Sequence, residues 1–135
     1  MPRLRRYRIF VSHAWRYDEY EKLKDALDSE RNFCYSDYSV PSWNSLAVKG
    51  ARQLGDALRR QIRPCHMVLV FGGMEINFRT VIQFEINVAQ ELGKPILVIL
   101  PRGSLRAPKV LMDVAADVVG WNRNSIVTSI RRLAL

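Results

Sequence analysis

Apolar residues fall along this chain in short groups, and the grouping alternates between a strand-like and a helix-like period. Arg8-Ile9-Phe10-Val11 is a short apolar run that ends at Ser12-His13 and reads as a buried strand. Residues 18–28 then place Tyr20, Leu23, Ala26 and Leu27 at helical spacing, with charges between them. A second strand is predicted around Phe33-Cys34-Tyr35, followed by a loop through Asp37, Ser39 and Pro41. From about Leu46 to Ile62 the residues Leu46, Val48, Ala51, Leu54, Ala57, Leu58 and Ile62 follow the helical period, and Pro64 ends it. Met67-Val68-Leu69-Val70-Phe71 is continuous and apolar, which predicts a central strand covered on both faces, terminated by Gly72-Gly73. The next helix runs from about Arg79 to Leu92 and stops at Gly93, with Lys94-Pro95 beyond. Ile96-Leu97-Val98-Ile99-Leu100 is another buried strand, closed by Pro101. A shorter strand near Val118-Val119-Gly120 and a last helix from about Ser125 to Leu133 complete the series.

Strands and helices in alternation predict a parallel sheet with right-handed crossovers. The fold expected is a three-layer α/β/α domain spanning residues 1–135, its five-stranded sheet in the flavodoxin-like order 2-1-3-4-5. No internal repeat, low-complexity tract or linker interrupts it. In open sheets of this kind ligands sit outside the carboxyl ends of the strands, where the strand order reverses. Here that place lies between the first and third strands. It brings the loop Ser12-His13-Ala14-Trp15 beside the loop Phe71-Gly72-Gly73-Met74.

Composition narrows the class without changing the fold. The 135 residues are 48% hydrophobic and 25% charged, which is globular usage. No apolar run approaches bilayer length, and none of signal-peptide length follows Met1-Pro2-Arg3-Leu4-Arg5-Arg6, so a cytoplasmic location is expected. Cys34 and Cys65 are too few and too far apart for a disulfide framework or a zinc site, and are read as reduced thiols in or near the core. The balance of 21 basic against 13 acidic residues gives +8, which suits an anionic partner such as a nucleotide phosphate or nucleic acid. A well-solvated surface is the commoner explanation of such a balance.

Glu85 is the most informative residue. At 100° per residue, Val81, Ile82, Phe84, Val88, Ala89 and Leu92 share one broad arc of their helix, and Glu85 projects near its middle; Arg79, Gln83, Asn87 and Gln90 take the opposite side. A carboxylate on a core-facing stripe is costly unless it is paired or opens into a polar cleft. One reading is a structural ion pair or hydrogen bond; the other is function, because this helix follows the strand tip where the fold places its ligand. Ser12-His13 is no nucleophile–base pair, since adjacent strand residues point to opposite faces; Ser12 could position a ligand with His13 as a polar wall, or the pair could be a structural turn. Trp15 and Trp43 lie in predicted loops, where a ring could stack on a base or nicotinamide or anchor the loop to the core. Gly72-Gly73 matches no phosphate-loop spacing and reads as a turn that clears space beside the next helix. No HExxH or Cys/His cluster is present, so no metal site is expected. Receiver-type phosphoacceptor chemistry is disfavoured as well, because the first and third strand tips carry no acidic residues.

Three stretches resemble a known family. Arg8-Ile9-Phe10-Val11-Ser12-His13-Ala14, the loop Asp37-Tyr38-Ser39-Val40-Pro41, and Phe84-Glu85-Ile86-Asn87-Val88-Ala89-Gln90-Glu91-Leu92-Gly93-Lys94-Pro95-Ile96 are similar to the TIR-like domain of Thoeris antiphage systems, the ThsB type. The similarity extends to Val119-Gly120-Trp121-Asn122, and the Glu-Ile-x-x-Ala-x-x-x-Gly-Lys-Pro-Ile run is its most specific part. The resemblance implies an enzyme that cleaves the nicotinamide glycosidic bond of NAD and makes an ADP-ribose-derived signalling nucleotide that activates an effector protein. It places the catalytic glutamate at Glu85, with NAD as substrate and no further cofactor; substrate binding is expected in the neighbouring loops, at Ser12, His13, Trp15, Ser39, Gly72 and Gly73. Many TIR enzymes carry a Trp four residues before the catalytic Glu; here that position is Val81, which leaves the nicotinamide-holding residue unassigned. A homo-oligomer formed on activation is expected, and no membrane partner.

Two other readings compete with NAD cleavage: a non-catalytic TIR-type interaction module, and a nucleoside deoxyribosyltransferase-like enzyme that also uses a glutamate at an N-glycosidic bond. Nucleic-acid binding is the weakest, because only net charge supports it.

Overall fold

The computed structural model describes residues 6–11, 17–30, 33–37, 50–71, 79–100 and 109–134. The elements are β1 (Arg6–Val11), α1 (Tyr17–Asp28), β2 (Cys34–Asp37), α2 (Gly50–Ile62), β3 (Met67–Phe71), α3 (Arg79–Glu91), β4 (Ile96–Ile99), α4 (Lys109–Met112), β5 (Asp117–Val119) and α5 (Arg123–Leu133). The five strands form one parallel sheet in the order β2-β1-β3-β4-β5. This is the flavodoxin-like order expected from the sequence, and its reversal point lies between β1 and β3.

The sheet is covered on both sides. Phe10, Val68, Val70, Ile96 and Val98 point to one side and bury Leu58 and Ile62 of α2, Ile86, Val88 and Ala89 of α3, and Leu111 of α4. Ile9, Val11, Met67, Leu69, Leu97 and Ile99 point to the other and bury Leu23 and Leu27 of α1 and Ile126, Val127 and Ile130 of α5. That alternation is the strand period of two expressed on a sheet with two covered faces, which is why β3 and β4 read as unbroken apolar runs. Each fully buried aliphatic side chain contributes about 1.5–3 kcal/mol, enough in sum to define this layering.

Several boundaries differ from the sequence reading, each for a local reason. Asp37, expected in a loop, is the last residue of β2 and pairs with Ile9 of β1. Edge pairing of that sort depends on the neighbouring strand and leaves no apolar signature. Residues 46–49, predicted to begin the second helix, lie outside the described residues. Leu100 falls just past β4, yet its N–H still donates to the Val119 carbonyl at 2.7 Å. The last strand starts one residue earlier than expected, at Asp117. α5 also begins earlier, at Arg123, because Asn122 caps it: the Asn122 side-chain oxygen accepts from the Ser125 N–H at 3.0 Å. The single turn of α4 escaped the periodicity, being too short to show one.

Cys65 is buried, its thiol donating to the Gln61 carbonyl at 3.2 Å, and Cys34 is half-buried, which fits the reading of thiols in or near the core. Among the described residues no helix is long and apolar enough to cross a membrane.

Candidate functional site

The helix that follows the central strand behaves as its spacing predicts. Gln83, Asn87, Gln90 and Glu91 are exposed, whereas Val88 and Ala89 are buried and Phe84 and Leu92 half-buried against the α2/α3 side of the core. The buried arc is wider than the projection allowed, for Ile86 is also enclosed at 1% exposure. A helix wedged between a sheet and a neighbouring helix buries two flanks of its surface, and α2 supplies the second contact.

Within that arc sits Glu85, 0% exposed, beside Ile86 and among the side chains of an otherwise apolar layer. It lies six residues into α3 and six from its last residue, about 9 Å along the axis from either end, at the middle of the helix. Enclosing a carboxylate costs several kcal/mol unless charge or hydrogen bonds offset it, so the position is specified.

The residues after Glu85 have plain structural work. Gly93 has φ 68°, a left-handed conformation that a side chain would strain. Its N–H donates to the Gln90 carbonyl at 3.1 Å, and the Lys94 N–H reaches back to the Ala89 carbonyl at 2.8 Å. This paired closure is a Schellman exit. The Pro95 carbonyl then accepts from Val68 at 3.0 Å and starts β4 alongside β3. Ala89, Gly93, Lys94, Pro95 and Ile96 therefore make a helix-to-strand joint, while Glu85 and Ile86 lie upstream of it in the buried arc.

Of the residues expected to line the site, Ser12, His13, Trp15, Ser39, Gly72 and Gly73 lie outside the described residues, as do Trp43 and the side chain of Val81. The framework that aims them is described: β1 and β3 are adjacent, with Val11 opposite Leu69, so the chain leaves two neighbouring strands at the reversal point. Trp121 is half-buried after β5, but packs on the α1/α5 side of the sheet, opposite Glu85. Among the described residues no group of three His, Cys, Asp or Glu could hold a metal ion.

One group near Glu85's helix was missed in the sequence. Arg59 of α2 donates from Nε to Glu91 Oε2 at 2.5 Å and from Nη2 to Glu91 Oε1 at 3.1 Å, while Nη1 reaches Asp56 Oδ1 at 3.0 Å. The Arg59 hydrogen bond holds the Glu91 carboxyl below the usual carboxylate range. Asp56 and Arg59 stand at a visible i,i+3 spacing, but nothing in the sequence points from α2 to a residue 32 positions away.

The sequence matches the family model for the TIR-like domain of the Thoeris protein ThsB over residues 10–106, more than two thirds of its length. The chain belongs to that family. This places it with the TIR-type proteins of Thoeris antiphage defence. The matched span contains Glu85 and ends before α4, so the Val119-Gly120-Trp121-Asn122 element lies outside it. No curated protein matches the chain. Among solved structures, the response regulator domain of Thermotoga maritima CheB aligns with a TM-score of 0.58 at 11% identity, over 96% of this chain and 97% of that one. At that identity the likeness is one of fold.

Proposed function

We propose that this TIR-like domain cleaves NAD at the bond between nicotinamide and ribose, with Glu85 as the catalytic carboxylate. The observation that carries the reading is a fully enclosed glutamate at the middle of the helix that follows the central strand β3. Breaking the C1′–N bond sends its electron pair to the pyridinium ring, so nicotinamide leaves neutral and needs no proton. The ribose becomes oxocarbenium-like, and a fixed carboxylate stabilises that developing charge. Water then adds at C1′ and loses a proton, giving ADP-ribose; an internal nucleophile at the same carbon gives a cyclic isomer instead. The product is the signalling nucleotide that addresses an effector protein. The net charge of +8 favours approach of the diphosphate. Ser12, His13, Trp15, Ser39, Gly72 and Gly73 belong to the substrate-binding loops in this reading.

At 0% exposure the Glu85 carboxylate is out of a substrate's reach. Cleavage therefore proceeds from a conformer in which it is uncovered, and a sparse conformer lowers apparent affinity in proportion to its population. Self-association on activation would select it. The same enclosure, with Val81 at the Trp position, favours a second reading, a non-catalytic interaction module.

The test is release of nicotinamide from NAD, followed with protein concentration and particle size in parallel, for the wild type and Glu85→Gln. Turnover that rises with assembly and disappears in the variant supports cleavage. No nicotinamide under any assembly condition supports the interaction module, and full turnover in a dilute monomer overturns the need for assembly.

A further inference from the structure

Glu85 shares a rigid helix with one end of a polar clamp. The Glu91 carboxylate takes both of its short bonds from one guanidinium, a two-point fork that fixes orientation as well as distance. Asp56 holds the third nitrogen, one turn back on α2. The guanidinium lies over Gly55, where an added Cβ would stand 3.4 Å from Nη1, so Arg59 is confined from below as well as at its tip. A lone exposed ion pair contributes little, but bidentate geometry within a three-member network is the setting in which such pairs hold a position.

We infer that this fork fixes the setting of α3 against α2 and thereby the place of Glu85, making Arg59 and Glu91 positioning residues for the candidate carboxylate. The inference rests on the reading of Glu85 given above for its catalytic consequence, and on the geometry alone for its mechanical one. Glu91 is six residues beyond Glu85 on the same helix, about 9 Å along the axis, so a tilt or slide released at that end is carried to Glu85. A misplacement of about 1 Å at a reacting centre costs as much as a hundredfold in rate. A partial release therefore predicts a loss of about five- to tenfold.

The experiment compares Arg59→Ala, Glu91→Gln, Arg59→Lys and, as a control, Arg60→Ala at the exposed neighbouring position. Amide hydrogen exchange of the intact protein without NAD is the first readout, since it reports local opening directly. Exchange in residues 83–89 is expected to quicken about threefold or more in Arg59→Ala and Glu91→Gln, less in Arg59→Lys, and not in Arg60→Ala. The second readout is steady-state NAD cleavage under activating conditions. There kcat should fall about five- to tenfold with KM within about twofold, and Arg59→Lys should recover part of it. Unchanged exchange in both Arg59→Ala and Glu91→Gln overturns the inference, whatever the activity. Quickened exchange with unchanged kcat overturns the positioning role. A wild type that releases no nicotinamide while exchange still quickens refutes the reading of Glu85 and leaves the mechanical link standing.

Discussion

The two sides of the sheet are packed alike but hold their buried polar groups differently. On the α1/α5 side Ser129, 5% exposed, donates to Asp117 Oδ2 at 2.7 Å. The Arg132 guanidinium bonds the same oxygen, and the Val118 N–H takes Asp117 Oδ1 at 2.9 Å. That group staples the edge strand β5 to α5 and ends at the surface. On the α2/α3 side the buried polar residue among those described is Glu85, deep in the layer, on a helix whose exit to β4 is made by other residues. A buried hydroxyl that joins two elements explains itself mechanically. For the buried carboxylate of Glu85 the role proposed above is chemical.

The comparison breaks most sharply under paired substitution. Glu85→Gln keeps the shape and removes the charge; NAD cleavage should fall by about a hundredfold or more, with thermal stability close to wild type. Ser129→Ala should do the reverse, costing about 1 kcal/mol in urea unfolding and leaving turnover unchanged. Equal effects of the two on stability would erase the distinction.

A smaller effect sharpens the mechanical side. The Tyr35 hydroxyl donates to Asp28 Oδ1 at 2.8 Å, tying β2 to α1. Burial first, then that hydrogen bond and the nearby carboxylates, raises the phenol above its ordinary 10.0. The folded state thus holds this proton more tightly than the unfolded one. Its stabilisation is complete below pH 10.0 and is lost as the pH climbs from there through the higher folded value. Tyr35→Phe should lose about 1 kcal/mol at neutral pH and show a flatter alkaline decline, read as the urea midpoint against pH.

The smallest effect on stability belongs to the α2–α3 fork. Because Arg59 depresses the Glu91 value, the contribution is present above the ordinary 4.5 and disappears as the pH falls through the lower folded value. Wild type and Glu91→Gln should differ slightly in melting temperature at neutral pH and converge in acid. A gap that persists in acid would assign the difference to packing.

Much of this protein was legible without coordinates because its information is local. Apolar runs of strand length and arcs of helical period placed β1, β3, β4, α1 and α3, and the alternation of strand and helix settled the parallel sheet and its reversal point. Glu85 could be found the same way: a helical projection needs only its own helix, and burial followed the projected arc. Gly93 announced the end of α3, since a left-handed exit favours a residue without a side chain.

What tertiary structure alone decided involves partners that no local period links. Asp37 is a strand residue because β1 lies beside it, and Ile86 is buried because α2 packs against α3. Ser129 finds Asp117 at a separation of 12 residues, and Arg59 finds Glu91 at 32. A residue type and a spacing state what a side chain can do within its own element. Which distant group it meets is set by how the layers pack, and that geometry exists only once the sheet has closed over both cores.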